Sequence, residues 1–204
     1  MNVSGPMVAA LASALSARDP ALAGHAARVT ALAARLAAWL EWDDARLYAI
    51  YVGGPLHDIG KVAVSDAILR KPGPLDDSEL AEIRTHPIAG AKLIGSLGPA
   101  GEAVPFVLYH HERWDGNGYP TGLSGTDIPE GARILAIADA FDAMTSTRPY
   151  RRALPVERAL GEIKRCAGTQ FDPAMADAFL EAWDAGALEP PTAWTTPRAS
   201  RASG

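Results

Sequence analysis

Residues 20–40, PALAGHAARVTALAARLAAWL, place Leu22, His25, Val29, Leu32, Leu36 and Leu40 three or four positions apart. That spacing lines one apolar face of a single α-helix, because about 3.6 residues complete each turn. Asp19-Pro20 opens the segment with an N-cap residue and a proline at the first helical position. A histidine therefore lies on the buried side of a core helix, while Arg28 and Arg35 are read onto other faces. Upstream, the alanine- and leucine-rich residues 6–17 predict one short helix that either packs back on its own domain or dimerises. Downstream, a helix is expected from Asp43 or Asp44 through Tyr51, with Gly53-Gly54-Pro55 breaking or bending it.

The same signals recur to residue 187. Lys71-Pro72-Gly73-Pro74 is a loop, and Asp76 with Glu79 three residues later forms a capping box. Thr85-His86-Pro87 starts another helix, and Gly98 to Gly101 separates it from one ending at His110-His111. Residues 112–131 form a long loop rich in glycine and proline, a feature that usually serves function in a compact helical domain. Pro129 and Gly131 lead into an apolar helix that carries Asp139, and helices over 155–167 and 172–185 follow. With no internal repeat and no strand pattern, the fold class is all-α, a bundle of about seven to nine helices. The boundaries are an N-terminal helical extension over 1–18, one domain over 19–187, and a tail over 188–204 whose composition predicts disorder.

Composition excludes several classes. A chain of 204 residues fits one domain, and the single Cys166 rules out a disulfide framework and suits a reducing cytoplasm. No apolar run approaches the ~20 residues of a membrane span, and Met1-Asn2-Val3-Ser4-Gly5-Pro6 lacks the basic start of a secretion signal. A formal net charge of -5 argues against a nucleic-acid polymer or an anionic membrane as partner.

All five histidines, His25, His57, His86, His110 and His111, stand where a metal could use them, and Asp58 and Asp139 join them. Imidazole nitrogen and carboxylate oxygen are the ligands of hydrolytic zinc, iron and manganese centres. Burying His57-Asp58 within Leu56-His57-Asp58-Ile59-Gly60 would cost several kcal/mol unless both were partnered. His110-His111 after Val107-Leu108-Tyr109, and Asp139 amid Ala136-Ile137-Ala138-Asp139-Ala140-Phe141, repeat that argument. A lone His25 on an apolar face, or His86 before a proline, has an ordinary structural reading. Seven such groups exceed the ligands of one ion, so two adjacent metals are expected. Neighbours on a helix point about 100° apart, so each doublet is read as addressing two ions rather than one compact site.

From residue 20 to 182 the chain resembles the HD-GYP subgroup of HD-superfamily phosphohydrolases. The resemblance is carried by His25-Ala26-Ala27-Arg28-Val29, Leu56-His57-Asp58-Ile59-Gly60-Lys61, Lys71-Pro72-Gly73 and His86-Pro87-Ile88-Ala89-Gly90. It continues through His110-His111-Glu112-Arg113-Trp114-Asp115-Gly116-Asn117-Gly118-Tyr119-Pro120, Ile137-Ala138-Asp139-Ala140-Phe141-Asp142-Ala143-Met144-Thr145, Arg148-Pro149-Tyr150-Arg151 and Gly168-Thr169-Gln170-Phe171-Asp172-Pro173.

The resemblance implies an HD-domain bundle acting as a bacterial, cytoplasmic phosphodiesterase in signal transduction, converting cyclic di-GMP to linear pGpG, GMP or both. It implies one metal held by His25, His57, Asp58 and Asp139, and a second by His86, His110 and His111 with Asp58 bridging. Iron or manganese is the implied occupant, and zinc, cobalt or nickel fits the same ligands. Relatives with three metals carry an acid where this chain has Ala21, so two ions are expected.

The expected nucleophile is a hydroxide bridging the ions. Lys61, on the Asp58 face, is read as a phosphate contact, as are Arg148 and Arg151 by resemblance. Asp142, one turn after Asp139, is expected to brace Lys61 or a metal-bound water. Tyr119 between Gly118 and Pro120 offers a guanine its ring or hydroxyl. The alternatives are a phosphohydrolase of another cyclic dinucleotide, or a weakly active domain that binds nucleotide or a signalling partner, as a monomer or a homodimer.

Overall fold

A computed structural model of the chain describes residues 8, 10–13, 20–96, 98–147 and 152–188. Nine α-helices lie among the described residues from 20 onward: α1 (Pro20–Trp39), α2 (Asp44–Leu56), α3 (Asp66–Leu69), α4 (Asp77–Ile83), α5 (His86–Gly95), α6 (Val104–Tyr109), α7 (Glu130–Thr145), α8 (Val156–Arg165) and α9 (Pro173–Asp184). Short 3₁₀ segments occupy Ile59–Ala63, Gly98–Ala103 and Gly125–Asp127. The only β-type pairing among the described residues is an isolated bridge between Ala167 and Phe171. The all-α expectation agrees with this architecture.

Polar side chains set several helix starts. The Asp43 side chain accepts from the Arg46 amide, and Asp172 accepts from the amides of Ala174 and Met175. Asp76 and Glu79 form the reciprocal capping box at α4, each such cap contributing about 1 kcal/mol.

The main core joins α1, α2, α7, α8 and α9. Val29, Leu32 and Leu36 pack with Ile50, Ile134, Ile137, Phe141, Ile163 and Phe179. Full burial of each such side chain contributes about 1.5–3 kcal/mol, and the contact fixes α1 and α7 side by side. A smaller core of Val52, Leu56, Ile59, Ile94 and Val107 joins α2, α5 and α6. Val8 and Leu11 belong to that second core, so the described part of segment 6–17 packs back on its own domain. Leu188 is buried in the main core; the rest of the tail, Arg148 and Arg151 lie outside the described residues.

One local expectation is corrected. Gly53-Gly54-Pro55 does not stop α2, which continues to Leu56. A Cβ on Gly53 would come within 3.1 Å of Phe106 Cβ, and one on Gly54 within 2.5 Å of Thr30 Oγ1. The glycines thus let α6 and α1 approach α2 closely, and this packing overrides their low helix propensity. A third close approach brings the two metal-motif segments together. A Cβ on Gly60 would collide with the His86 carbonyl, so the 3₁₀ turn after Asp58 lies directly against the start of α5.

Candidate metal centre

Each ligand candidate reaches one region between the two cores from a different element. His25 comes from α1 and Asp139 from α7. His57 is the C-cap of α2 and Asp58 follows it outside regular helix. His86 opens α5, while His110 and His111 follow the last residue of α6. His25, His57, Asp58, His86 and His110 are buried. Two overlapping groups result: His25, His57 and Asp58 form one, and Asp58, His86, His110 and His111 form the other. Within each group, one ligand atom per residue lies within 4.8 Å of the others. Asp139 Oδ1 stands 3.2 Å from His25 Nε2, beside the first group.

The His110-His111 doublet departs from its sequence reading. Because α6 ends at Tyr109, the two rings do not diverge as on a helix; their centroids are 4.1 Å apart and both belong to one group. The His57-Asp58 doublet does reach both groups, through Asp58.

Backbone carbonyls orient three of the imidazoles. His57 Nδ1 is 2.7 Å from the Gly54 carbonyl oxygen, His86 Nδ1 2.7 Å from that of Ile83, and His110 Nδ1 2.8 Å from that of Val107. A carbonyl can only accept, so each Nδ1 carries the proton and each Nε2 presents a lone pair inward. His86 Nε2 and His110 Nε2 then face each other at 3.5 Å, and buried His57 Nε2 has no hydrogen-bond partner among the described residues. Leaving a buried polar atom unpaired costs about 1–3 kcal/mol. A divalent cation between these lone pairs and Asp58 resolves the mismatch, so the residues present fit a metal.

Electrostatics keep the site ready for cations. Burial pushes the His110 and His57 imidazoles down; neighbouring imidazoles lower His110 further, whereas Asp58 and Asp139 only partly offset the burial of His57. His111 falls to about 4, chiefly by burial. Burial raises the Asp58 carboxyl, but the Lys61 charge and the surrounding histidines outweigh it and hold Asp58 well below the usual carboxylate range. His25 is the exception: burial lowers it, yet Asp139 and Asp142 carry it up to about 9.

These shifts set the pH response of the metal-free protein. Unfolded histidine titrates near 6.5. Stabilisation from the depressed His57, His110 and His111 is complete above that value and is lost as pH falls toward their folded values. The raised His25 contributes oppositely: its stabilisation is complete below 6.5 and disappears as pH rises through about 9. With three groups against one, chelator-treated protein is expected to lose stability between pH 7 and 5 in urea denaturation. His111→Asn should flatten that slope; an unchanged slope would contradict the assigned burial of a neutral imidazole.

Lys61 lies where the sequence expects it, with Nζ 2.6 Å from Asp58 Oδ2. Three residues per 3₁₀ turn make positions i and i+3 eclipse. Of the two roles expected for Asp142, bracing Lys61 is not the one its contacts show. Its Oδ2 is 2.7 Å from His25 Nδ1, while Arg28 Nε donates to Oδ1 at 2.5 Å and Arg28 Nη2 to Oδ2 at 3.1 Å. Arg28, assigned above to an outer face, was thus missed; its i+3 spacing from His25 and match to the His25 motif were the available signals.

The loop after α6 forms the cleft wall. Buried Glu112 accepts from the Thr121 amide and hydroxyl, both at 2.7 Å, and from the Gly122 amide. The Tyr119 amide donates to the His111 carbonyl oxygen at 3.2 Å. Gly118 packs on the Glu112 backbone and the Tyr119–Pro120 peptide is cis. The Tyr119 ring stacks on His111 with centroids 4.8 Å apart. Burial, then the Asp58 and Asp139 charges, raise its phenol, which therefore stays a proton donor. The cleft holds about 310 Å³ and is lined by His110, His111, Tyr119, Asp139, Gln170 and Arg84 among others. Glu112, Gln170 and Arg84 were not singled out by the sequence reading.

An all-helical bundle that converges five imidazoles and their carboxylates from helices and helix ends defines a class of His/Asp domains suited to metal binding. The HD domain family profile matches residues 9–175. The chain belongs to the HD domain family, in its HD-GYP subgroup.

It is 39% identical over 166 residues to the cyclic di-GMP phosphodiesterase of Thermotoga maritima, covering 80% of this chain and 45% of that protein. It is 38% identical over 185 residues to the 3′3′-cGAMP-specific phosphodiesterase 2 of Vibrio cholerae, covering 90% of this chain and 35% of the relative. The chain thus spans less than half the length of either. The solved structure of Bd1817, an HDG"Y"P protein of Bdellovibrio bacteriovorus, shares the fold with a TM-score of 0.63 at 20% identity, over 80% of this chain and 52% of that one. Among the described residues no helix is long and apolar enough to cross a membrane.

Proposed function

We propose that the chain is a metal-dependent phosphodiesterase of the bacterial cytoplasm that hydrolyses cyclic di-GMP to linear pGpG, GMP or both. The observation that carries this reading is the pair of candidate ligand groups sharing Asp58, with His110, His111 and Asp139 lining the Tyr119 cleft. The 39% identity to a cyclic di-GMP phosphodiesterase supports the substrate class. Two divalent ions, iron or manganese, would supply Lewis-acid charge to the phosphoryl group and lower the pKa of the attacking water. His25, His57, Asp58 and Asp139 would hold one, and His86, His110 and His111 the other with Asp58 common to both.

Around that centre the protein's own groups position substrate. Lys61 neutralises a nonbridging phosphate oxygen while keeping contact with Asp58. Asp142 holds His25 through Nδ1. Tyr119 donates its hydroxyl hydrogen bond toward the substrate, and Gly118 and Pro120 shape the loop beside it. Arg148 and Arg151 are assigned to substrate phosphate on the family motif. Because these groups read phosphate more than base, and a 38% identical relative is named for 3′3′-cGAMP, a hybrid dinucleotide is the second reading.

The test is turnover of cyclic di-GMP, 3′3′-cGAMP and cyclic di-AMP by purified protein loaded anaerobically with iron or manganese, with metal counted on the same sample. Fastest loss of cyclic di-GMP with two ions per chain is expected. Preference for 3′3′-cGAMP would favour the second reading. Tight binding without hydrolysis of any of the three would assign a binding module.

A further inference from the structure

The cationic groups around the cleft differ in how they are occupied. Lys61 is paired with Asp58, and Arg113 is gripped through two hydrogen bonds by Asp115. Arg84 has no carboxylate at ion-pair distance among the described residues, and it is exposed. It is the C-cap of α4, two residues before His86, so a short rigid segment ties it to the ligand cluster. Its guanidinium carbon lies 5.5 Å from the centroid of the Tyr119 ring, which itself stacks on His111. An arginine resting on an aromatic ring is oriented without an acidic partner, so its donors stay available to an anion.

A cyclic dinucleotide carries two phosphodiesters, and the metal centre takes only the one being cleaved. The other must lie farther out along the same cleft, and its charge requires a partner there. We propose that Arg84 binds the phosphate that is not being hydrolysed, with Tyr119 as the platform that holds it. This inference rests on the cyclic-dinucleotide reading of the site. It assigns the Tyr119 ring to holding Arg84 and His111, leaving the hydroxyl for substrate. Guanidinium suits the task because two parallel N–H donors match two phosphate oxygens, which a lysine ammonium cannot do.

The test compares two substrates on the metal-loaded protein: cyclic di-GMP, with two phosphates, and bis(p-nitrophenyl) phosphate, with one. Arg84→Ala is expected to raise KM for cyclic di-GMP about ten- to a hundredfold, with kcat within about twofold. Arg84→Lys should recover only part of that loss. Turnover of bis(p-nitrophenyl) phosphate, metal content and Tm should stay at wild-type levels. Equal losses on both substrates would overturn the proposal by placing Arg84's effect at the metal cluster or in the fold. An unchanged KM for cyclic di-GMP would overturn it as well. Should wild-type protein cleave bis(p-nitrophenyl) phosphate but neither bind nor cleave any cyclic dinucleotide, the functional reading itself falls and takes this inference with it.

Discussion

If the proposed two-metal phosphodiesterase reading holds, Asp58→Asn is expected to remove both ions and to lower hydrolysis by at least about a thousandfold. Asp58 is the residue common to the two ligand groups: Oδ1 is 3.3 Å from His86 Nε2, while Oδ2 is 3.6 Å from His57 Nε2 and 4.0 Å from His25 Nε2. Asparagine keeps the shape but replaces one oxygen by an NH₂ group that cannot ligate and removes the negative charge shared by the two candidate ligand groups. The fold should survive, because neither hydrophobic core includes Asp58. The informative contrast is His110→Ala combined with His111→Ala. That change empties one group and leaves His25, His57 and Asp58 intact, so one ion per chain should remain although hydrolysis is lost. Metal analysis with far-ultraviolet circular dichroism on the same samples reads both outcomes. An Asp58→Asn protein that kept two ions and normal turnover would remove the shared-carboxylate centre from the account.

How far the sequence carried this arrangement depends on what each feature rests on. Helices are legible where a local signal is strong, as in the apolar stripe through Val29, Leu32 and Leu36 and in the Asp76–Glu79 capping box, whereas the expected cap Asp19 lies outside the described residues. The end of α2 was misread because Gly53-Gly54-Pro55 is a local breaker, whereas the close approach of Thr30 and Phe106 is a tertiary fact. The histidines could be singled out because imidazole is scarce and costly to bury unpartnered. Their convergence came from the motif order, since nothing in residue spacing alone brings α1 beside α7. Partner choice was the least legible. Asp142 lies one turn from Asp139 in the chain, but its contacts come from α1, and no pattern within 130–145 distinguishes Arg28 from Lys61.

That Arg28–Asp142–His25 chain leads to the second large effect. Arg28 grips both oxygens of Asp142, and its Nη2 also donates to Ser146 Oγ at 3.0 Å, so the carboxylate plane is fixed from two sides. Asp142 then presents Oδ2 to His25 Nδ1 at 2.7 Å and aims Nε2 toward Asp139 and Asp58. Outer hydrogen-bond partners of this kind alter metal affinity by about 10–100-fold. Arg28→Ala is a poor probe, because it leaves the buried Asp142 carboxylate without its cationic partner and so confounds affinity with folding. Arg28→Lys keeps the positive charge but offers a single ammonium where two oxygens were clasped. It should therefore weaken binding at the proposed site of His25, His57 and Asp139 by about 10–100-fold, and leave the proposed site of His86, His110 and His111 near its wild-type affinity. Competition titration with a chromogenic chelator would then be expected to resolve two unequal steps in the variant and closely spaced ones in wild type, with Tm of the metal-free protein little changed. Equal weakening of both steps would mean that Arg28 acts on the bundle as a whole. No weakening of either would mean that His25 keeps its orientation without the arginine, held by Asp142 and the packing of α1 against α7 alone.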